Sequence, residues 1–165
     1  MNRQCMVLLV ENNAGVLARV SSLFMQRGFN IDSLTVSSTD NPNISRITVT
    51  TTGDDRTFSP IMKQTSKLTE AKLVFPIEPF VSLIRELLLV KFSTENTDSE
   101  KLKGFIEDYG AKIIDVSRGC YVAELTGDPS LIDDFLDAVK PFEMIEMCRT
   151  GATALERGKV SYDID

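Results

Sequence analysis

One pattern of predicted strands and helices occurs twice in this chain, and the repeat constrains the fold more than any other feature. In the first half, apolar and β-branched runs predict strands, and 3.6-residue apolar spacing predicts helices. Strands are expected at residues 6–10, 31–38, 44–52 and 71–77, with one helix between the first two and another between the last two. This is the order β-α-β-β-α-β, and it recurs between residues 87 and 148.

Local signals predict where several helices begin. Pro60 fits only the first turn of the second helix, because a proline further inside removes a backbone hydrogen bond. Thr97-x-x-Glu100 matches a capping box at the start of the third helix. Asp128-Pro129 supplies an N-cap and a proline at the first helical position of the fourth helix.

The repeat predicts an α+β protein made of two tandem ferredoxin-like βαββαβ domains. A chain of 165 residues is long enough for two small domains. Two prolines in four residues, Pro76 and Pro79, disfavour regular structure between the repeats. The expected division is a first domain at 1–77, a linker at 78–83 and a second domain at 84–165.

Charge and hydropathy narrow the classes of partner. A net charge of −6 argues against a protein that neutralises phosphates of nucleic acid or binds an anionic membrane surface. No apolar run approaches the roughly 18 residues that a membrane-spanning helix needs. The first residues lead directly into a predicted strand rather than a secretory signal, so we expect a cytoplasmic protein.

The chain contains no histidine, which removes the commonest general base, the commonest metal ligand and every Ser-His or Cys-His nucleophile. Its three cysteines, at 5, 120 and 148, have no metal-binding spacing and are interpreted as small buried apolar residues. The glycines form no nucleotide-binding motif. We therefore expect no catalytic residues and no metal site, although an enzyme that uses Lys, Tyr or carboxylate chemistry stays open.

The first strand-to-helix junction, Glu11-Asn12-Asn13-Ala14-Gly15-Val16-Leu17, carries the sequence's best candidate site. Short polar residues and a glycine at a helix start leave backbone N–H groups free for an anion, and the carboxylate of an amino acid is a natural one. The alternative is purely structural: the asparagines cap the helix and the glycine serves a turn. The matching junction of the second repeat, residues 93–98, has no glycine and is more acidic, so there the structural interpretation is favoured.

A second amide, Asn30, follows the helix-ending Gly28. It could reach the same ligand if two copies of the chain pack edge to edge. An asparagine amide can hydrogen-bond to either end of a zwitterion.

Residues 7–36, VLLVENNAGVLARVSSLFMQRGFNIDSLTV, resemble the N-terminal ACT domain of the acetolactate synthase (acetohydroxyacid synthase) small subunit. The blocks LLVENNAGVLARV and QRGFNIDSLTV are specific to that family rather than to ACT domains in general. The similarity continues through SRIT at 45–48, RELLLVK at 85–91, AKIIDVS at 111–117, RTG at 149–151 and LERG at 155–158.

This resemblance implies a regulator that binds a branched-chain amino acid, usually valine, between the ACT domains of a homodimer. It also implies that the chain binds and activates a separate catalytic (large) subunit and confers feedback inhibition on it. Thiamine diphosphate, Mg and FAD are then expected only in the catalytic subunit, and no cofactor in this chain. A stand-alone tandem-ACT sensor that controls another protein, or transcription, is the alternative.

Carried over by motif, the resemblance places the effector against Asn12, Gly15 and Asn30, with loop backbone from Asn13 through Ala14 and Val16 to Leu17. Ile31 is expected on the facing subunit's side. The effector's branched side chain is expected among apolar residues that include Leu9, Leu17 and Val36. The second domain is expected to serve the catalytic subunit, and the cations that could contact it, or could equally be ordinary surface charges, are Lys91, Arg118, Arg149 and Arg157.

Overall fold

The structure is a computed structural model that describes residues 2–53, 55–95, 97–160 and 162. Within these residues the chain alternates strands and helices in the predicted order. The elements are β1 (Asn2–Glu11), α1 (Val16–Gln26), β2 (Ser33–Ser38), β3 (Ile44–Gly53), α2 (Asp55–Thr65), β4 (Ala71–Pro76), β5 (Ser82–Ser93), α3 (Ser99–Asp108), β6 (Lys112–Ser117), β7 (Cys120–Gly127), α4 (Pro129–Ala138), β8 (Met144–Arg149) and β9 (Thr153–Glu156).

Two antiparallel sheets confirm the predicted fold class. The first has the strand order β2-β3-β1-β4, and the second contains the same arrangement as β6-β7-β5-β8. Each is the strand order of a βαββαβ unit, in which the first and third strands lie at the centre. The doubled sequence pattern therefore corresponds to a doubled structure.

Alternation along each central strand decides which residues form the two cores. In the first unit, Met6, Leu8 and Val10 of β1 pack with α1 and α2 in one buried cluster. In the second unit, the corresponding side chains of β5 are Leu88, Val90 and Phe92, which pack with α3 and α4. Each sheet therefore buries one face under its two helices.

The division of the chain differs from the predicted one at its C-terminal end. The first compact unit comprises residues 1–83 together with 151–165, and the second comprises residues 84–150. The sequence indicated only a short polar tail after β8, but the chain forms β9 there and returns to the first unit. Arg157, just after β9, donates its backbone N–H to the carbonyl of Val81 at 2.8 Å.

The returning segment covers the face of the first sheet that the helices leave open. We call residues 151–160 with Tyr162 the C-terminal strap. On this face of the sheet Val7, Leu9 and Thr48 are almost fully buried. The first unit therefore has three layers, namely helices, sheet and strap.

Two predicted helix starts need correction. The N-cap of α3 is Asp98, whose carboxylate accepts from the N–H of Lys101 at 3.1 Å, rather than Thr97. Helix α2 begins at residue 55, so Pro60 lies inside the helix instead of in its first turn. The prediction for α4 is confirmed, because Asp128 accepts from the N–H of Leu131 at 3.0 Å.

Candidate functional site

The loop between β1 and α1 is exposed and is held from below by the β2–β3 hairpin. The backbone N–H of Asn12 donates to the carbonyl of Asn43 at 2.7 Å. The Asn12 side-chain Nδ2 donates to the carbonyl of Pro42 at 3.0 Å. These two bonds fix the loop and leave the Asn12 Oδ1 as the acceptor that the amide can still offer.

The N-terminus of α1 has no side-chain cap. Its N-cap is Gly15, at φ +88° and ψ −11°, a left-handed conformation that side chains rarely adopt. No atom lies within 4 Å of where a Cβ would stand on Gly15, so the space above it is open. The first N–H groups of an α-helix have no partner within the helix. In α1 the N–H of Val16 donates to the carbonyl of Asn13 at 3.4 Å, and no side chain caps the N–H groups that follow, whereas α3 and α4 are capped by aspartates.

The one acidic group at the start of this loop is neutralised by a neighbour. The carboxylate of Glu11 lies 2.8 Å from the Lys72 ammonium and also accepts from Asn13 Nδ2 at 3.0 Å. The hydrogen bond from Lys72 and its positive charge hold the pKa of Glu11 below its usual range. An anion at the α1 N-terminus would therefore meet a paired carboxylate, while the side chain of Asn13 is occupied.

The other predicted contacts lie beyond the C-terminal end of α1. Asn30 donates from Nδ2 to Asp32 at 3.1 Å, and its carbonyl accepts from the Thr51 hydroxyl at 2.7 Å. Asn30 and Ile31 line an open depression of about 450 Å³. The other residues that line it are Ser21, Phe24, Met25, Gly28 and Phe29.

These two groups of predicted site residues do not meet within one chain. Asn12 to Leu17 surround the start of α1, and Asn30 and Ile31 follow its end. A helix of 11 residues is about 16 Å long at 1.5 Å per residue. An amino acid is too short to bridge that distance, so one chain offers two partial sites.

Of the three apolar residues predicted to receive the effector's side chain, two are partly exposed on the helix side of the sheet. Leu17 of α1 and Val36 of β2 are 43% and 41% exposed. Val36 pairs with Ile47, which belongs to the core beneath the helices. The prediction for Leu9 is wrong, because Leu9 pairs with Arg46 on the opposite face of the sheet and is buried under the strap.

Met25, on the exposed face of α1, was not among the predicted site residues. Leu17, Ser21 and Met25 recur every four residues, so they share one stripe beside the core stripe, and Met25 is 73% exposed. The signal was present in the sequence, because apolar residues at i and i+8 lie outside the core positions 16, 20 and 24.

The second unit offers no comparable opening at its matching junction. There α3 is capped by Asp98, and Glu95 lies against Gly119. Asn96 of this junction is outside the described residues. Of the predicted partner-binding cations, Arg149 is engaged internally with Glu86 and Asp133, both at 2.6 Å.

Other classes of site find no support in the described part of the chain. No group of three or more Cys, Asp or Glu side chains there could hold a metal ion. None of the described helices is long and apolar enough to cross a membrane. Cys5 is buried, Cys120 is partly buried and Cys148 is exposed, and none forms a disulfide.

Comparison with known families assigns both halves of the chain to one kind of protein. Residues 6–71 match the family described as the AHAS small subunit-like ACT domain. Residues 85–158 match the family described as the small subunit of acetolactate synthase.

Individual relatives agree over nearly the whole chain. The probable acetolactate synthase small subunit of Methanothermobacter thermautotrophicus is 39% identical over 91% of this chain and 90% of its own length. The acetolactate synthase isozyme 3 small subunit of Escherichia coli is 36% identical over 94% and 96%. The crystal structure of the acetolactate synthase small subunit from Thermotoga maritima is similar with a TM-score of 0.86 and 36% identity, covering 97% of this chain and all of that one.

Proposed function

Because this chain belongs to the family of acetolactate synthase small subunits, which are regulatory rather than catalytic, we propose that it senses a branched-chain amino acid, with valine as the effector. It would bind and activate the large catalytic subunit and make that subunit sensitive to feedback inhibition. The observation that carries the proposal is the exposed N-terminus of α1, which has Gly15 as its N-cap and no side-chain cap.

The loop and helix together match the two charged ends of an amino acid. The effector's carboxylate would accept from the free N–H groups of α1, where the positive end of the helix dipole adds attraction. Gly15 allows that approach because no Cβ intervenes. Asn12 Nδ2 already donates to the carbonyl of Pro42, so the Asn12 Oδ1 would accept from the effector's ammonium group.

Two copies of the chain would complete the site. Among the strands that the structure describes, β2 lies at the edge of the first sheet and pairs with β3 alone, and an edge strand can pair with another chain. Antiparallel pairing of β2 with β2 of a second copy runs the two α1 helices in opposite directions. The start of one α1 then comes beside the end of the other, so that Asn12 to Leu17 of one copy face Asn30 and Ile31 of the next.

This homodimer would also cover the apolar groups that one chain leaves exposed. Leu17, Met25 and Val36 all lie on α1 or β2, on the helix side of the sheet. A two-fold axis makes the contact self-complementary and creates two equivalent sites. Exposed apolar residues of this kind are typical of surfaces that bind a partner.

An apolar side chain fits the remaining space better than a polar one. Leu17, Val36 and Ile31 would surround the effector's side chain, and none of them offers a hydrogen bond. Threonine has nearly the shape of valine, but its hydroxyl would be desolvated there without a partner, at a cost of about 1–3 kcal/mol. We expect valine to bind about 5- to 150-fold more tightly than threonine.

Feedback follows if the effector binds one arrangement of the dimer more tightly than another. A coupling of about 1–3 kcal/mol would change the partner's behaviour roughly 5- to 150-fold.

We propose that the second unit contributes the contact with the catalytic subunit. It exposes Val116, Ile145 and Met147 on its two edge strands, β6 and β8.

Calorimetric titration of the chain with valine, leucine, isoleucine and threonine tests the sensing function directly. We expect binding of at least one branched-chain amino acid, with one ligand bound per chain, and clearly weaker binding of threonine. Absence of binding by all three branched-chain amino acids would contradict the proposal.

Reconstitution tests the partner. Acetolactate formation from pyruvate is measured with the catalytic subunit alone, with this chain added, and with chain plus valine. We expect activation by the chain and inhibition by valine only when the chain is present. Recovery of a different partner from native lysate, with no effect on the catalytic subunit, would favour the stand-alone sensor, and turnover by the isolated chain would favour an enzyme.

A further inference from the structure

The C-terminal strap crosses the open face of the first sheet from one edge to the other. It begins at β2, where Gly151 lies against Leu34 and Thr35. It passes β3, where Arg46 Nη2 donates to the carbonyl of Ala154 at 2.6 Å. It ends at β4, where the Tyr162 ring stacks on Phe75 with centroids 4.4 Å apart.

The contact at β2 leaves no room for a side chain on the strap. A Cβ on Gly151 would stand 2.5 Å from the Thr35 hydroxyl and 3.2 Å from two backbone atoms of Leu34. Ala152 and Ala154 are 0% and 1% exposed, so these two residues of the strap are fully buried, while Thr153 and Leu155 between and after them are exposed. Movement of β2 perpendicular to the sheet would therefore displace the strap.

Arg46 holds the middle of the strap from within the sheet. Its guanidinium lies 5.8 Å above the centre of the Phe75 ring and donates to Ala154. The side chain is half-buried beside Leu9, and burial lowers its pKa from the ordinary value. A charge-assisted hydrogen bond from the Arg46 guanidinium holds the Ala154 carbonyl in place.

The strap also continues directly from the last strand of the second unit. Arg149 ends β8 and is held within that unit by Glu86 and Asp133. Thr150, the next residue, exchanges two hydrogen bonds with the backbone of Leu87, at 2.9 and 3.0 Å. Gly151, one residue further, is packed against β2 of the first unit.

We propose that the C-terminal strap carries the effector signal from β2 to the second unit, with Gly151 and Arg46 as its positioning residues. This inference rests on the proposed function, which puts the effector at the β2 edge between two copies. Effector binding changes the packing at that edge, and β2 moves the strap with it. The strap then pulls on β8 through Thr150, and the second unit changes how it engages its partner.

The test is to loosen the strap and to measure effector binding and effector response separately. Gly151→Ala forces the strap away from β2 by steric overlap alone, since Gly151 has no left-handed φ that only glycine prefers. Arg46→Met removes the hydrogen bond to Ala154 but keeps an apolar stem of similar length. Gly104→Ala, inside α3 with open space around it, is the matched control for a glycine substitution elsewhere.

Valine affinity is measured by calorimetry on each full chain, and valine inhibition is measured on each reconstituted enzyme. We expect Gly151→Ala and Arg46→Met to bind valine within about threefold of wild type and still to activate the catalytic subunit. The valine concentration for half-inhibition should rise roughly fivefold or more, the smallest factor expected of an allosteric coupling. Gly104→Ala should match wild type in every measurement.

A second substitution that makes room for the new methyl group tests whether steric overlap causes the loss of the valine response. Thr35→Ala removes the hydroxyl that the new methyl group meets, so Gly151→Ala/Thr35→Ala should recover much of the valine response. A purely structural role of the strap would instead lower binding and inhibition together in both single variants.

The outcomes separate the two proposals. Suppose that valine inhibits the wild-type enzyme. If it inhibits both strap variants equally well, the strap does not carry the signal. The same conclusion follows if both variants lose valine binding in parallel with inhibition. If the wild type neither binds valine nor responds to it, the proposed function itself is refuted, and this inference with it.

Discussion

A negative charge at Gly15 tests the placement of the effector most sharply. Gly15→Asp puts a carboxylate beside the helix N–H groups that are proposed to hold the effector's own carboxylate. Two unit charges about 4 Å apart repel by ~1 kcal/mol in bulk water and by ~4 kcal/mol at an effective dielectric constant of ~20. Because Gly15 is exposed, an intermediate value of ~2 kcal/mol is expected, or roughly 30-fold weaker binding of valine.

Charge must be separated from shape and backbone strain in this experiment. Gly15→Asn has almost the same size, and both side chains must adopt the φ of +88°, so the two variants differ only in charge. Gly110→Asp is a second control, because Gly110 follows α3 at φ +69° with nothing within 4 Å of its Cβ position. It carries the same kind of backbone strain in the second unit.

Calorimetry gives the affinity of each variant for valine, and the reconstituted enzyme gives activation and feedback. We expect Gly15→Asp to lose feedback but to keep activation, Gly15→Asn to bind valine with intermediate affinity, and Gly110→Asp to behave as wild type. Equal losses in the Asp and Asn variants would show that space rather than charge matters. A Gly15→Asp protein that stays fully valine-sensitive would show that the site is wrongly placed.

Two further predictions concern stability and thiol reactivity. Asp128→Ala removes the cap of α4 and should lower the free energy of unfolding by about 1 kcal/mol in urea titrations at pH 7. Hydrogen bonds from the Ser130 hydroxyl and the Leu131 N–H lower the pKa of Asp128 below its ordinary 3.8. The stability that Asp128 contributes is therefore present above pH 3.8 and is lost as the pH falls through the pKa of the folded state. A stability difference between wild type and Asp128→Ala that persists undiminished at about pH 2 would contradict this origin. Burial raises the pKa of Cys5 to about 12. A thiol reagent at pH 8 should therefore modify the exposed Cys148 in the native protein, but Cys5 only after unfolding. Mass spectrometry of labelled peptides measures both reactions.

The regulatory interpretation also accounts for what the chain lacks. A subunit that biases a partner needs a ligand site, a movable contact between copies and a docking surface, and none of these requires a general base. The absence of histidine and of metal-binding spacing in the sequence is consistent with such a role. The chemistry of acetolactate formation is then left to the catalytic subunit.

Much of the fold follows from local patterns that the sequence displays openly. Strand order, both helix pairs and the cap at Asp128 come from periodicity and short-range signals, which depend on residues a few positions apart. The candidate loop was also visible, because a glycine among short polar residues at a helix start has few interpretations. Only the family resemblance indicated which ligand such a loop would hold.

The tertiary structure decided what depends on residues far apart in the chain. Leu8 and Leu9 are identical in composition and hydropathy, and only the register with β3 shows that Leu8 faces the helices while Leu9 faces Arg46. The separation of Gly15 from Asn30 by the length of α1 likewise shows that one chain does not bring these two residues together, although the sequence predicted both for one site.

The C-terminal strap is the clearest case of such a decision. By sequence, residues 151–162 are a short polar tail after the second repeat, because small residues such as Ala152 and Ala154 have no periodic signature. Their burial comes from contacts such as that between Arg46 and Ala154, which are 108 positions apart. The sequence by itself thus determined two βαββαβ units and a glycine-containing loop before α1, since those depend on neighbouring residues. Only the folded chain decided that its last residues complete the first unit, because an open apolar sheet face is buried by whatever segment the fold brings to it.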